Sequence, residues 1–232
     1  MIDERVSLTS GAILAESVAI FKRHWPLILL AGALEGLVEL GQEFANRDRL
    51  GGIGGILLIA LFVIVCQISI QGIAARAVFV REGIVDASVR PRFGVYMGVS
   101  ALVLLGIAFG SVLLIVPGIM LALRWVLAAN FTLTREMGVR EALEASRDTT
   151  DGHRGEIFGT FVVFGLASYA PLLILVPLAG GFSALDSVEP WSAIGAFRVT
   201  WSILQLTAGL ALGIGIFTTF VGRHGRLQEV FA

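Results

Sequence analysis

Leu113-Leu-Ile-Val-Pro-Gly-Ile119 opens the stretch whose reading decides the fold, and that stretch closes at Gly159. After the opening comes an apolar run broken by one arginine, Arg124. Next is a polar, helix-prone segment, Glu136-Met-Gly-Val-Arg-Glu-Ala-Leu-Glu-Ala-Ser-Arg-Asp-Thr-Thr-Asp-Gly152, and apolar sequence resumes at Ile157. This order predicts a membrane hairpin, a cytoplasmic helix and the start of another span. Apolar sequence extends from Phe93 to Glu136, roughly twice the ~20 residues that one helical crossing needs. Pro117-Gly118 stands near its middle. Proline removes a backbone donor and glycine relaxes the dihedrals, so the pair is expected to turn the chain between two spans.

Composition supports a bilayer setting. The 232 residues are 56% hydrophobic and 15% charged, with a mean hydropathy of +0.86. Soluble domains carry about 25% charged residues, so this chain is too apolar to cover a water-facing globule. The 28 glycines suit close helix packing in lipid. Net charge is −1, which points to no nucleic acid partner. The lone Cys66 makes neither an intrachain disulfide nor a zinc site, and it does not report the compartment.

Outward from the central stretch, the apolar runs predict six spans, at about 25–44, 52–75, 94–116, 119–135, 156–181 and 192–221. The expected fold is all-α, an integral membrane six-helix bundle within residues 25–222. Continuous apolar runs do not suit a membrane barrel, whose strands alternate polar and apolar residues. Residues 1–24 carry Leu14, Val18, Phe21 and Trp25 at helical spacing. They read either as an amphipathic helix on the membrane surface or as a short helix packed on the bundle. They are not expected to be a signal peptide. Residues 223–232 are expected to be a cytoplasmic tail. The loops 45–50 and 182–191 fall on the opposite side.

Charge placement orients this arrangement. Arg5, Lys22, Arg23, Arg76, Arg81, Arg90, Arg92, Arg135, Arg140, Arg147, Arg154, Arg223 and Arg226 share one side, against Arg47 and Arg49 on the other. The positive-inside rule then puts both termini in the cytoplasm. A single crossing through Phe93–Glu136 would send Arg140, Arg147 and Arg154 outside, so the hairpin is preferred.

The buried charges are the most chemical feature. Glu35, Glu39, Arg124 and Arg198 lie within predicted spans, and at a helical rise of about 1.5 Å per residue Glu39, Arg124 and Arg198 fall at similar depth. Each unpaired charge at the bilayer centre costs at least about 2.5–3.5 kcal/mol. A Glu39–Arg124 or Glu39–Arg198 ion pair is therefore expected. The cluster reads either as a staple that orders the bundle or as a proton or substrate site. Gln67 and Gln71 stand one turn apart in the second span. Gly32/Gly36, Gly94/Gly98, Gly106/Gly110 and Gly209/Gly213 offer small-residue faces for helix packing or a dimer. Asn130-Phe-Thr132 matches a glycosylation sequon but lies inside a span. His24, His153 and His224 read as interfacial residues, and no metal or cofactor site is expected. No phosphate-cradling loop, zinc-protease pattern or nucleophile elbow is present, so no catalytic residue is expected.

One resemblance can be stated. Leu114-Ile-Val-Pro-Gly-Ile119 is followed by Arg124, Glu136, Gly138, Ala142-Leu143, Ser146, Thr149 or Thr150, and Gly152. This series resembles the membrane-domain family found with glycerophosphoryl diester phosphodiesterases. That family also includes stand-alone bacterial inner-membrane proteins of unknown function. Phe21-Lys-Arg-His-Trp25 is similar to the family's first segment. The motif residues are thus Pro117, Gly118, Arg124, Glu136, Ala142, Leu143, Ser146 and Gly152. The resemblance carries no phosphodiesterase activity here, because that activity belongs to a separate soluble domain. It implies a non-catalytic membrane module in envelope or membrane-lipid homeostasis, with membrane lipids, a membrane-protein partner or a second copy of the chain as binding partner. The alternative is a small transporter using the Glu/Arg cluster.

Overall fold

The computed structural model describes residues 9–47, 52–113, 115–178 and 193–231, and among them the chain is helix and connecting turn without strand. The helices are α1 (Ser10–Arg47), α2 (Gly52–Arg81), α3 (Phe93–Leu113), α4 (Ile115–Trp125), α5 (Ala128–Thr134), α6 (Val139–Thr150), α7 (Arg154–Leu178) and α8 (Ala193–Phe231). Four stretches are long and apolar enough to cross a membrane: Gly54–Arg81, Phe93–Val112, Val116–Thr134 and Gly195–Val221. The first has a mean hydropathy of 2.5, yet only 11% of it is buried inside the protein. Leu57, Leu58, Leu61 and Phe62 on α2, Phe109 and Val112 on α3, and Leu166 on α7 all face outward. An apolar belt of that extent needs a nonpolar covering. Of the expected loop 45–50, residues 45–47 instead end α1, and 48–50 with Arg49 lie outside the described residues, as does the expected loop 182–191.

Helix α1 runs through the boundary expected at residue 24. It is one helix bent at His24 (φ −122°, ψ 21°), two residues before Pro26, whose ring removes a helical donor. Glu82, just past α2, fixes the bend. Its carboxylate lies 2.6 Å from His24 Nε2 and accepts from Arg23 Nη1 at 2.6 Å. The buried face of the first half is Ile13, Ser17, Ile20 and His24, while Val18 and Trp25 are exposed. The Leu14/Val18/Phe21/Trp25 stripe is therefore split, with Leu14 and Phe21 half-buried against the core and Val18 and Trp25 exposed. Helix α8 crosses closely at Ser17, where a methyl on Gly215 would lie 2.6 Å from Ser17 Cα. Further along, Gly32 and Gly36 receive Thr207 and Ile203 of α8. The helix α8 itself continues to Phe231, so the segment expected as a tail after 222 extends the last helix.

Helices α3 and α4 form the hairpin predicted for Phe93–Glu136. Their axes meet at Gly110 and Gly118, where a methyl on Gly110 would lie 2.8 Å from Gly118 Cα. The expected Pro-Gly turn is corrected, because Pro117 and Gly118 sit in the opening turns of α4. The first helical turn has no acceptor for its N–H groups, so proline fits there without losing a bond. Gly118 supplies the close approach and not the reversal. Gly94 and Gly98 have open space where a methyl would stand, so they pack no neighbouring helix among the described residues.

Phe79, Phe131 and Phe217 meet in the core, with ring centroids 4.9 Å apart and tilted for Phe79–Phe217 and 5.3 Å apart and edge-to-face for Phe131–Phe217. Arg76 is buried beside them. Its guanidinium donates to the carbonyls of Leu133 at 2.8 Å and Asp86 at 3.1 Å, and to that of Val89. One side chain thereby joins α2, the end of α5 and the connector 82–92. In that connector Asp86 accepts from the Ser88 N–H at 2.8 Å, which holds its carboxyl below the usual carboxylate range.

Candidate functional site

Polar side chains converge between the helices. Glu35 and Glu39 stand one turn apart on α1, and Gln71 and Gln67 one turn apart on α2. The two helices run antiparallel, so the pairs face each other in register. Gln71 Nε2 donates to Glu35 Oε2 and Gln67 Nε2 to Glu39 Oε1, each at 3.4 Å. From α8, the Ser202 hydroxyl donates to Glu39 Oε2 at 2.5 Å. Glu35 is fully buried, and its Oε1 has no hydrogen-bond partner.

Beside Glu39 and Gln71 opens a cavity of about 770 Å³ between α1, α2, α3, α4, α5, α7 and α8. Its polar lining is Glu39, Gln71, Tyr96, Ser100, Asn130, Ser168, Tyr169, Ser202 and Gln205, and no lysine or arginine lines it among the described residues. The walls are otherwise apolar, with Trp125, Phe161 and Phe164. Glycines seat two of the rings. A methyl on Gly72 would lie 2.5 Å from the Tyr96 ring, and one on Gly106 would lie 2.6 Å from the Trp125 ring. Asn130, read from sequence only as an unusable sequon, donates to the Gly213 carbonyl of α8 at 3.3 Å.

A second, outward-facing space of about 420 Å³ adjoins this cavity. It is an apolar groove along α1, α7 and α8, lined by Leu14, Val18, Phe21, Ala167, Leu204 and Ala208 among others. Phe164, Ser168 and Gln205 border both spaces. They form the seam between the two spaces, where the Ser168 carbonyl accepts from Trp201 Nε1 at 3.0 Å and from Gln205 Nε2 at 2.8 Å.

The fourth apolar run is broken at Val126-Leu127, between α4 and α5, and the break faces the cavity through Trp125, Val126 and Ala129. Broken backbone in an apolar setting must find partners elsewhere. Ser146 of α6 supplies them. Its hydroxyl donates to the Arg124 carbonyl at 2.8 Å and accepts from the Leu127 N–H at 3.2 Å. Ala142, Ser146 and Thr150, four residues apart, form the buried face of α6. Arg140 and Glu144 pair on its exposed face at 2.9 Å.

The sequence-derived candidates thus divide. Glu35 and Glu39 stand together at the site. Arg124 does not join them: among the described residues no ion pair links it to either glutamate, and its Nε is buried without a partner. Equal depth on two helices says nothing about which way each helix faces, and that is why the Glu39–Arg124 expectation fails. The Arg198 side chain lies outside the described residues. Of the motif residues, Pro117, Gly118, Ala142 and Ser146 build the α3–α4 hairpin and the α6 contact. Gly152 takes a left-handed φ of 78° between α6 and α7. Leu143 packs partly against the core, and Glu136 is exposed. Tyr96, Ser100, Trp125, Ser168, Ser202 and Gln205 escaped the sequence reading. Polar residues inside apolar runs were the available signal. No group of three or more metal-ligating side chains occurs among the described residues. A scan against protein-family models matched no family, and searches of curated proteins and of solved structures found no match.

Proposed function

We propose that this chain is a six-span protein of the bacterial inner membrane, with both termini in the cytoplasm, that binds a lipid-like amphipathic molecule without chemical turnover. The positive-inside distribution supports the topology. Under it, Trp25–Phe44 and Glu156–Gly181 are spans alongside the four strongly apolar stretches, and α6 lies on the cytoplasmic side. The resemblance to the phosphodiesterase-associated membrane domains supports a role in envelope or membrane-lipid homeostasis.

The observation that carries the binding reading is the pairing of the two spaces. A polar-lined cavity of about 770 Å³ adjoins an apolar groove of about 420 Å³ across the seam of Phe164, Ser168 and Gln205. Ligand sites are concave, mostly apolar and furnished with a few convergent polar groups. A polar head inside and a chain lying in the groove match both linings. Native mass spectrometry of the protein released from native lipid particles tests this. A molecule retained at fixed stoichiometry is expected, and a bare chain in every preparation overturns the reading.

One observation favours a second reading, transport. The break between α4 and α5 lines the cavity, and discontinuous helices line the substrate sites of many transporters. Solute uptake into liposomes, abolished by Glu39→Gln without loss of folding, would establish transport.

A further inference from the structure

The inner cavity carries a charge pattern that narrows its ligand. Glu39 is the carboxylate in the lining, and no lysine or arginine accompanies it there among the described residues. The remaining polar groups are amides and hydroxyls. Behind Gln71 stands a second acid, Glu35, with Oε1 unpartnered. Five aromatic side chains, Tyr96, Trp125, Phe161, Phe164 and Tyr169, line the same space.

An anionic head group entering here loses its water and meets a carboxylate, and among the described residues no lysine or arginine lines the cavity to receive it. Burying an unpaired charge in that way is strongly unfavourable. A cation meets the opposite situation. A carboxylate compensates its charge, and ring faces attract it through their quadrupoles. Glu39 keeps spare acceptor capacity for such a guest, since each of its oxygens holds a single described hydrogen bond and a carboxylate offers about four lone-pair sites.

We infer that the cavity takes an amphipathic organic cation, an ammonium or similar onium group carried on an apolar chain or ring system. The cationic head sits between Glu39 and the aromatic wall, and the apolar part extends past Phe164 and Gln205 into the groove on α1, α7 and α8. This inference rests on the amphiphile-binding reading above and names its head-group chemistry. A lipid amine head group and a freely diffusing hydrophobic cation share that chemistry.

The test is equilibrium binding of radiolabelled tetraphenylphosphonium to the purified full chain in a neutral detergent. The competitors are dodecyltrimethylammonium, dodecyl phosphate, dodecylglycerol and sphinganine, a lipid amine that carries no phosphate. Saturable binding is expected, displaced by dodecyltrimethylammonium and not by dodecyl phosphate. Glu39→Gln, checked to melt like the parent, is expected to weaken binding by at least about tenfold, the scale of a lost charge partner. Trp125→Leu serves if that variant does not fold, with a several-fold loss expected. Displacement by sphinganine below the concentration of dodecyltrimethylammonium that is needed assigns a lipid source, and the reverse order assigns a soluble cation. Unchanged affinity in a folded Glu39→Gln protein overturns the inference. Direct binding of dodecyl phosphate or dodecylglycerol without tetraphenylphosphonium overturns the head-group assignment alone. Binding of none of these probes overturns the amphiphile reading with it.

Discussion

The Ser202 hydroxyl donates to the Glu39 carboxylate at 2.5 Å, and this bond ties α8 to α1 at the wall of the cavity. Gln67 reaches the other carboxylate oxygen at only 3.4 Å, so Ser202 is the closer of the two partners. Removing it leaves a half-buried carboxylate under-bonded. Ser202→Ala is expected to cost about 1–3 kcal/mol. At the usual conversion of about 2–4 °C per kcal/mol for a chain of this size, a thermal melt in detergent reads that loss directly. An unchanged melting temperature would show that Ser202 contributes nothing to holding the helices.

The Trp125 ring fills the space that Gly106 leaves on α3. Gly106→Ala puts a methyl 2.6 Å from that ring. Overpacking of this kind typically costs about 1–3 kcal/mol. The account expects Trp125→Leu to restore stability to the Gly106→Ala protein. It also expects Gly94→Ala, with open space at its position, to be neutral or slightly stabilising. A melt comparison of the three variants decides whether small residues here pack helices or are incidental.

Ser146 serves two backbone groups at the break between α4 and α5. Ser146→Ala leaves the Arg124 carbonyl and the Leu127 N–H without that partner. Each unsatisfied buried group costs about 1–3 kcal/mol. Hydrogen exchange should therefore accelerate at Leu127 and its neighbours more than in α2. Uniform exchange across the chain would remove Ser146 from this role.

Arg76 is held by three carbonyls on two segments, the end of α5 and the connector 82–92. Lysine keeps the charge but lacks the planar fork that reaches all three. Arg76→Lys is expected to lose about 3 kcal/mol, as two charge-assisted bonds disappear. Faster proteolysis of the 82–92 connector is the accompanying sign, and a connector as resistant as in the parent would contradict it.

Much of the architecture was legible because its signals are local. Apolar runs marked the four stretches now seen as long membrane-compatible helices, and the arginines at 140, 147 and 154 required the Phe93–Glu136 run to reverse. Glu35 and Glu39, one turn apart in an apolar run, announced an inward polar face. What stayed hidden depends on azimuth and neighbours. The stripe at Leu14, Val18, Phe21 and Trp25 splits, with Leu14 and Phe21 half-buried against the core and Val18 and Trp25 exposed, because an apolar face does not mark the interior when the surroundings are apolar too. The buried face is Ile13, Ser17, Ile20 and His24, with Ser17 crossed closely by Gly215. Pro117 looked like a turn because sequence alone does not show that it occupies a helix's first turn. Arg124 looked like a partner for Glu39 because depth was readable and direction was not.

The measurement closest to the central claim compares the native chain with one whose cavity is filled. Gly165 lines the cavity and has open space at its side-chain position, so Gly165→Trp occupies the ligand's volume without striking a neighbour at the first carbon. Native mass spectrometry of both proteins from native lipid particles should show one amphiphile per chain in the parent and none in a folded Gly165→Trp variant. Equal retention in both proteins would place any bound molecule elsewhere and contradict the account.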